Sequence, residues 1–154
     1  MKSQHLSTIA VLILAALLAA CGGQAAGSPP AATREPAMMD TVSLMDALRA
    51  AGATVEPIGE VSQPFFSVEG QVINVNGGDV QVYEYESKAE AGEEAALVSQ
   101  DGSSVGATMI TWIATPHFFK TGKLIALYVG DDDAVLTALV SALGPQFAGG
   151  SPKF

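Results

Sequence analysis

Residues 65–86 read FFSVEGQVINVNGGDVQVYEYE, and this stretch decides the fold class. Two runs rich in β-branched and aromatic residues, 65–75 and 80–86, flank a short polar segment. That segment, Asn76-Gly77-Gly78-Asp79, consists of residues that tolerate the positive φ angles required by tight hairpin turns. The stretch therefore predicts two antiparallel strands joined by a tight turn.

Further strands are predicted on both sides of this hairpin. A short strand at 54–56 is expected to stop at Pro57, and a longer one covers residues 108–114. Residues 116–123 then predict a connection between strands. Leu124 to Val129 follows and is apolar at every position, which is typical of an interior strand that is covered on both faces.

Three stretches carry the sequence signals of helices. Ser43 can cap the first helix, and Ser87-Lys88-Ala89-Glu90 is a capping-box pattern that opens the second. The second helix is expected to turn three carboxylates towards water, those of Glu90, Glu93 and Glu94. Asp131 is expected to cap the last helix, whose apolar residues fall on one stripe at helical spacing.

The predicted elements include a hairpin followed by a helix twice, in residues 65–99 and 108–143. This order predicts an α+β fold, specifically a two-layer sandwich of a mostly antiparallel sheet with helices packed on one face. The two halves share no residue-level repeat. The repeated order therefore suggests, at most, a duplicated ββα architecture.

The N-terminus has the pattern of a secretory signal. Met1-Lys2 gives a positively charged start, and residues 6–20 form an apolar run without charge. The run is shorter than the roughly 20 residues that a helix needs to cross the hydrocarbon core of a membrane. We therefore expect residues 1–20 to be a signal peptide rather than a transmembrane helix.

The signal ends in Leu18-Ala19-Ala20-Cys21, which resembles the lipobox of bacterial lipoprotein precursors. The resemblance implies that the Cys21 thiol carries diacylglycerol and that cleavage makes Cys21 an acylated N-terminus bearing fatty acids such as palmitate. The alternative is an ordinary signal peptide that leaves a free cysteine. Gly22 stands where relatives that retain lipoproteins in the inner membrane carry aspartate, so the resemblance leaves an outer membrane open. Residues 117–133, HFFKTGKLIALYVGDDD, are similar to uncharacterised bacterial lipoproteins, which implies no activity.

The remaining chain divides by composition. A flexible tether is predicted for residues 21–37. They comprise the candidate lipidated cysteine and a segment rich in Gly, Ala, Ser and Pro. Residues 38–147 predict one small α+β domain. Residues 148–154 predict a loose C-terminal tail. The protein is thus expected to lie outside the cytoplasm, lipid-anchored to the cell membrane.

Charge and cysteine content limit the classes of function. Sixteen acidic residues against seven basic ones give a net charge of −9. Such a surface repels phosphate backbones, so nucleic acid is not expected as a partner. Because Cys21 is the single cysteine and is expected to carry lipid, no internal disulfide and no thiolate metal site are predicted.

The sequence carries no catalytic motif that stands above its structural alternatives. Helix capping explains Asp131-Asp132-Asp133 better than calcium ligation, because a calcium loop alternates its ligands around a glycine turn. His117 is the only histidine after the signal, and no serine lies in a Gly-x-Ser-x-Gly elbow. Pairs of carboxylates remain open as acid and base candidates. No metal and no cofactor are predicted.

The candidate binding residues are aromatic and basic. Alternation in the strands suggests an open sheet face that displays amphipathic aromatics, namely Tyr83, Tyr85, Trp112 and Tyr128. A basic cluster beside it would consist of His117, Lys120 and Lys123. We therefore expect a non-enzymatic module that binds a peptide, a glycan or an envelope protein. The alternatives are ordinary core packing of the aromatics, and an envelope hydrolase or enzyme accessory that uses His117.

Overall fold

The computed structural model describes residues 39–150. The predictions for the signal peptide, Cys21, the tether and residues 151–154 lie outside the described residues. Within residues 39–150, no helix is long and apolar enough to cross a membrane.

The described chain is an α+β fold, as the sequence predicts. In chain order the elements are α1 (Thr41–Ala50), β1 (Val55–Val61), β2 (Gly70–Val75), β3 (Gly78–Glu84), α2 (Lys88–Ala96), β4 (Ser104–Val105), β5 (Thr108–Met109), β6 (Pro116–Thr121), β7 (Leu124–Val129), α3 (Asp133–Leu143) and β8 (Ala148–Gly149). Six strands form one antiparallel sheet in the order β1-β2-β3-β7-β6-β8, and β4 pairs with β5 in a separate two-stranded sheet.

The sheet has an apolar core on each face, and the helices are divided between the two faces. The first core joins α1 and α3 to the sheet through residues such as Leu44, Leu139 and Val80. The second core joins α2 to the opposite face through Ala91 and Ala95. The expectation of helices on one face is therefore corrected. Because the central strands are apolar on both sides, each face needs a cover.

The same division argues against a duplicated ββα architecture. Strands β3 and β7 are antiparallel neighbours, so a two-fold axis between them, perpendicular to the sheet, would exchange the two hairpins. Such an axis keeps both helices on the same face of the sheet. Helices α2 and α3 instead lie on opposite faces, so the repeated order is not a structural repeat.

The predicted hairpin is confirmed, but its first strand is shorter than expected. Asn76 and Gly77 form the turn with φ angles of 52° and 93°. Strand β2 begins only at Gly70, where a Cβ atom would lie 2.7 Å from Tyr83 Cε1. Residues 62–69 are not part of the sheet, although Phe66 from this segment is buried in the second core.

Strand β1 continues past Pro57, where the sequence predicts its end. It lies at the edge of the sheet, where a residue without a backbone N–H is tolerated. The pairing with β2 shifts register between Pro57 and Gly59, which accommodates the proline.

The second half of the sheet differs most from the sequence prediction. Residues 116–121, expected within a connection, form β6, because Phe118 and Phe119 alternate into the second and first cores. The predicted strand over 108–114 is reduced to the two residues of β5. Ala148 and Gly149, expected in a loose tail, pair with β6 as β8, and Ala148 is buried.

Two of the three helix caps lie away from the predicted residues. Asp40 caps α1 and accepts a hydrogen bond from the Ser43 amide at 2.7 Å, so Ser43 lies inside the helix. Asp132, and not Asp131, caps α3. Ser87 caps α2 as predicted. In both helices the observed cap is another short polar residue within three positions of the predicted one. Ser and Asp side chains can both accept the hydrogen bond that a cap makes, so the sequence alone does not choose between them.

Candidate functional site

The prediction of an open aromatic face is wrong. Tyr83, Tyr85 and Tyr128 are each at most 5 % exposed. Tyr128 pairs across the sheet with Val80, and it therefore lies on the face opposite to Tyr83 and Tyr85. Trp112 is half-buried, and its indole Nε1 donates to the Gly102 carbonyl oxygen at 2.7 Å. Three of the four aromatic candidates, the tyrosines, thus belong to the two cores.

The basic residues do not form a cluster. His117 is buried against the first core, where its ring stacks on Tyr128. Lys120 pairs across the strands with Ile125, which belongs to the second core, so Lys120 lies on the opposite face. Lys123 forms an ion pair with Glu84, with 2.6 Å between Nζ and Oε1.

His117 has surroundings that do not suit a hydrolase. Its Nδ1 lies 2.7 Å from the amide oxygen of Gln146, and no carboxylate or hydroxyl group among residues 39–150 is within hydrogen-bond distance of its ring. The side chain is 1 % exposed, and it lines neither of the two clefts described below. A general base must be within hydrogen-bond reach of the proton that it removes.

A cleft lies beside α2, and we call it the α2 cleft. Its volume is about 400 Å³, within the range of ligand pockets. Two of the lining residues, Ser67 and Val68, come from the segment before β2. The other lining residues are Tyr85, which follows β3, and four residues on or just after α2: Glu90, Glu93, Glu94 and Leu97.

The helical spacing places these α2 side chains on one face. Positions 90, 93, 94 and 97 are separated by three, four and seven residues, so their side chains share one side of the helix. Ala91 and Ala95 lie on the buried side and fix the rotation of the helix against the sheet. The Glu90 carboxylate also accepts a hydrogen bond from the Glu86 amide at 3.2 Å, at the start of the helix.

Tyr85 contributes an unusual group to this cleft. Its backbone amide donates to the Lys123 carbonyl oxygen at 3.0 Å, which holds the residue in line with β3. Its ring is buried in the second core, and its hydroxyl group has no hydrogen-bond partner among residues 39–150. A buried polar group without a partner costs about 1 to 3 kcal/mol.

Burial raises the pKa of the Tyr85 phenol above its ordinary value, and the Glu94 carboxylate and Tyr83 raise it further. Glu94 and Tyr85 line the same cleft. Tyr85 therefore keeps its proton at neutral pH and can both donate and accept a hydrogen bond.

The carboxylates of the α2 cleft do not converge on a single point. Within residues 39–150, no group of three or more His, Cys, Asp or Glu side chains has the geometry to hold a metal ion. The cleft instead combines dispersed acidic groups, the buried residue Tyr85 and two apolar side chains, Val68 and Leu97.

A second cleft, of about 440 Å³, lies between the end of α1, the β2–β3 turn and α3. Small side chains such as Ala53 and Ala138 form much of its lining. The Asn76 amide is already satisfied, because it donates to the Ala134 carbonyl oxygen and accepts from the Thr54 amide. The α2 cleft, which has an unsatisfied polar group, is therefore the better candidate site.

Sequence reasoning treated the α2 carboxylates as a solvated face. The spacing of Glu90, Glu94 and Leu97 was a usable signal, because it places an apolar side chain in line with the acids. The sequence did not indicate that Ser67 and Val68 line the same cleft. No family model matches this chain, and neither the curated proteins nor the solved structures include a significant match to it.

Proposed function

We propose that this protein is a lipid-anchored extracytoplasmic binding module that takes its ligand in the α2 cleft. The observation that carries the proposal is the buried hydroxyl group of Tyr85, which lacks a partner in a concave, acidic site. Because an unsatisfied buried hydroxyl group is costly, a ligand that pairs with it gains binding free energy.

The chemistry of the cleft favours binding over catalysis. Burial raises the pKa of the Tyr85 phenol, so the phenolate that a nucleophile or base would require is disfavoured at neutral pH. The ligand is an envelope molecule, or a protruding part of an envelope peptide, glycan or protein, that is small enough for a cleft of this volume.

The anchor is proposed on the sequence of residues 18–21 alone. Seventeen residues lie between Cys21 and Met39, the first described residue, and a fully extended chain of that length reaches about 60 Å. Such a reach lets the domain stand clear of lipid headgroups. Two or more acyl chains on the cysteine hold a protein stably on a membrane.

One crosslinking experiment tests both parts of the proposal. A photoreactive amino acid replaces Leu97, at the rim of the cleft, in the full chain in its native envelope. The control position is Val42 on α1, which is similarly exposed. We expect an adduct of defined mass at position 97 and not at position 42, read by mass spectrometry of the intact protein. We expect the chain in the membrane fraction, and a Cys21→Ala form in the soluble fraction.

Two results would contradict the proposal. Identical adducts at both positions, or none at position 97, exclude the cleft as the binding site. Unchanged membrane partitioning of Cys21→Ala excludes lipid attachment. A Gly23→Ala form, which lies outside the Leu18–Cys21 motif, should remain in the membrane fraction and serves as the matched control.

A further inference from the structure

The α2 cleft has features that define the chemical class of its ligand, and this inference rests on the proposed binding function. Three carboxylates line one side of the cleft, on successive turns of α2. The protein as a whole carries a net charge of −9. Anionic ligands are therefore repelled, and a cationic group is attracted both at long range and within the site.

The Tyr85 hydroxyl group adds a requirement that charge alone does not impose. Tyr85 lines the cleft, and its hydroxyl group is buried and has no partner among residues 39–150. Next to carboxylates that already attract a cation, its oxygen can accept a hydrogen bond from an N–H group. A quaternary ammonium group lacks such a donor and would leave the hydroxyl group unsatisfied.

The distribution of the acceptors favours ammonium over guanidinium. The acceptors come from the end of β3 and from two turns of α2, and they therefore approach from several directions. An ammonium group has three donors on a compact charge, whereas guanidinium is planar and prefers a coplanar pair of carboxylate oxygens. Val68 and Leu97 in the lining supply apolar surface that an alkyl stem can contact.

We infer that the α2 cleft binds a primary alkylammonium group, with its nitrogen between Tyr85 and Glu94 and its stem along Val68 and Leu97. Such a group is carried by free alkylamines and by lysine side chains. A divalent cation is not the expected ligand, because the carboxylates within residues 39–150 do not converge on one point.

The test is an NMR titration of the full chain in detergent with three matched probes. The probes are n-butylammonium, butyltrimethylammonium and butylguanidinium. We expect n-butylammonium to shift the amide signals of residues 67, 68, 85 and 90–97. We also expect it to bind about tenfold more tightly than the other two probes, because a tenfold difference in affinity corresponds to about one hydrogen bond to a charged group. Equal binding of the trimethyl or guanidinium probe, or displacement by magnesium or calcium ions at equal concentration, would overturn the inference.

Variants separate the site from general electrostatic attraction. Tyr85→Phe and Glu94→Gln should each weaken n-butylammonium about tenfold. Glu56→Gln removes the same charge from an exposed position on β1, away from the cleft, and should leave the affinity within about twofold. Equal losses in Glu94→Gln and Glu56→Gln, or no loss in Tyr85→Phe, would contradict the assigned geometry. The amide spectrum of each variant shows that it is folded.

Two further arms identify the source of the ligand and keep the proposals distinguishable. Acetyl-Gly-Lys-Gly-amide that binds more tightly than n-butylammonium indicates a lysine side chain of a peptide, and weaker or equal binding indicates a free amine. If a photoreactive residue at position 97 captures a molecule but no alkylammonium probe binds, this inference fails while the binding function stands. If neither occurs, both fail.

Discussion

Tyr83 and Tyr85 lie two residues apart on the same face of the sheet, yet their hydroxyl groups have opposite surroundings. The Tyr83 hydroxyl group donates to Gln81 Oε1 at 2.6 Å. The Tyr85 hydroxyl group has no partner within residues 39–150. Both rings are buried in the second core, so the two positions differ mainly in what a single oxygen atom contacts.

This difference predicts unequal effects of the same substitution. Tyr83→Phe should lower the free energy of unfolding by about 1 kcal/mol, because it removes a satisfied hydrogen bond. Tyr85→Phe should leave it unchanged or raise it by up to about 1 kcal/mol, because it removes a buried group without a partner. Urea denaturation of the two variants and the wild type measures both values. A loss in Tyr85→Phe as large as that in Tyr83→Phe would show that the Tyr85 hydroxyl group is satisfied.

At the scale of elements, the start of α3 shows why only one of three consecutive aspartates caps the helix. Asp131, Asp132 and Asp133 have the same side chain. Asp132 Oδ1 accepts hydrogen bonds from the amides of Ala134 at 2.8 Å and Val135 at 3.3 Å. Asp132 also has an extended backbone conformation, which a cap requires and a helical residue lacks.

Alanine substitution should therefore distinguish these neighbours. Asp132→Ala should lower the free energy of unfolding by about 1 kcal/mol, since two helix amides lose their acceptor. Asp131→Ala should change it by less than about 0.5 kcal/mol, as is usual for surface positions outside a cap. Thermal unfolding of both variants tests the difference. Equal losses would mean that the two carboxylates share the cap.

At the scale of the whole molecule, Glu84 connects three elements that are distant in sequence. Its Oε2 accepts from the Thr41 amide at 3.0 Å and from the Thr41 hydroxyl group at 2.9 Å, at the start of α1. Its Oε1 pairs with Lys123 in the β6–β7 turn. Burial alone would raise the pKa of Glu84, but the hydrogen bonds from Lys123 and Thr41 outweigh it and hold the pKa below its usual value.

The lowered pKa predicts a pH-dependent contribution to stability. A carboxyl group whose pKa is lower in the folded than in the unfolded chain stabilises the fold above the unfolded value, here about 4.5. That contribution is lost as the pH falls through the lower, folded pKa. The urea midpoint of Glu84→Gln should therefore lie below that of wild type at pH 7, and the gap should narrow in acid. Glu56→Gln serves as the matched control. A difference in urea midpoint between wild type and Glu84→Gln that stays constant from pH 7 to below the folded pKa of Glu84 would contradict the stabilising role of the Glu84 carboxylate.

The sequence predicted the parts of the fold that depend on local pattern. The Asn76-Gly77 turn follows from two residues that tolerate positive φ, and α2 begins at Ser87 as its capping box indicates. Strand β7 was recognised as interior from its unbroken apolar run. Strand β6 was missed, because Pro116, Lys120 and Gly122 have loop propensities that the burial of Phe118 and Phe119 overrides.

The candidate site was less predictable than the fold. The three glutamates of α2 were identified on a common helical face, but they were assigned to solvent. The sequence predicts Tyr85 on an open aromatic face, but its ring belongs to the second core and the residue lines the α2 cleft. No local pattern indicates which buried hydroxyl group lacks a partner, because that depends on neighbours from other parts of the chain.

By itself, the sequence determined that this is an acidic α+β chain with an antiparallel hairpin, three helices and an interior apolar strand. Alternation and helical period are local properties, and they act through residues only a few positions apart. The tertiary structure alone decided that the helices cover both faces of the sheet and that Tyr128 lies away from Tyr83 and Tyr85. It also brought Ser67 and Val68 into the same cleft as the α2 glutamates. These arrangements depend on strand order and on packing between distant segments, which the local periods do not specify.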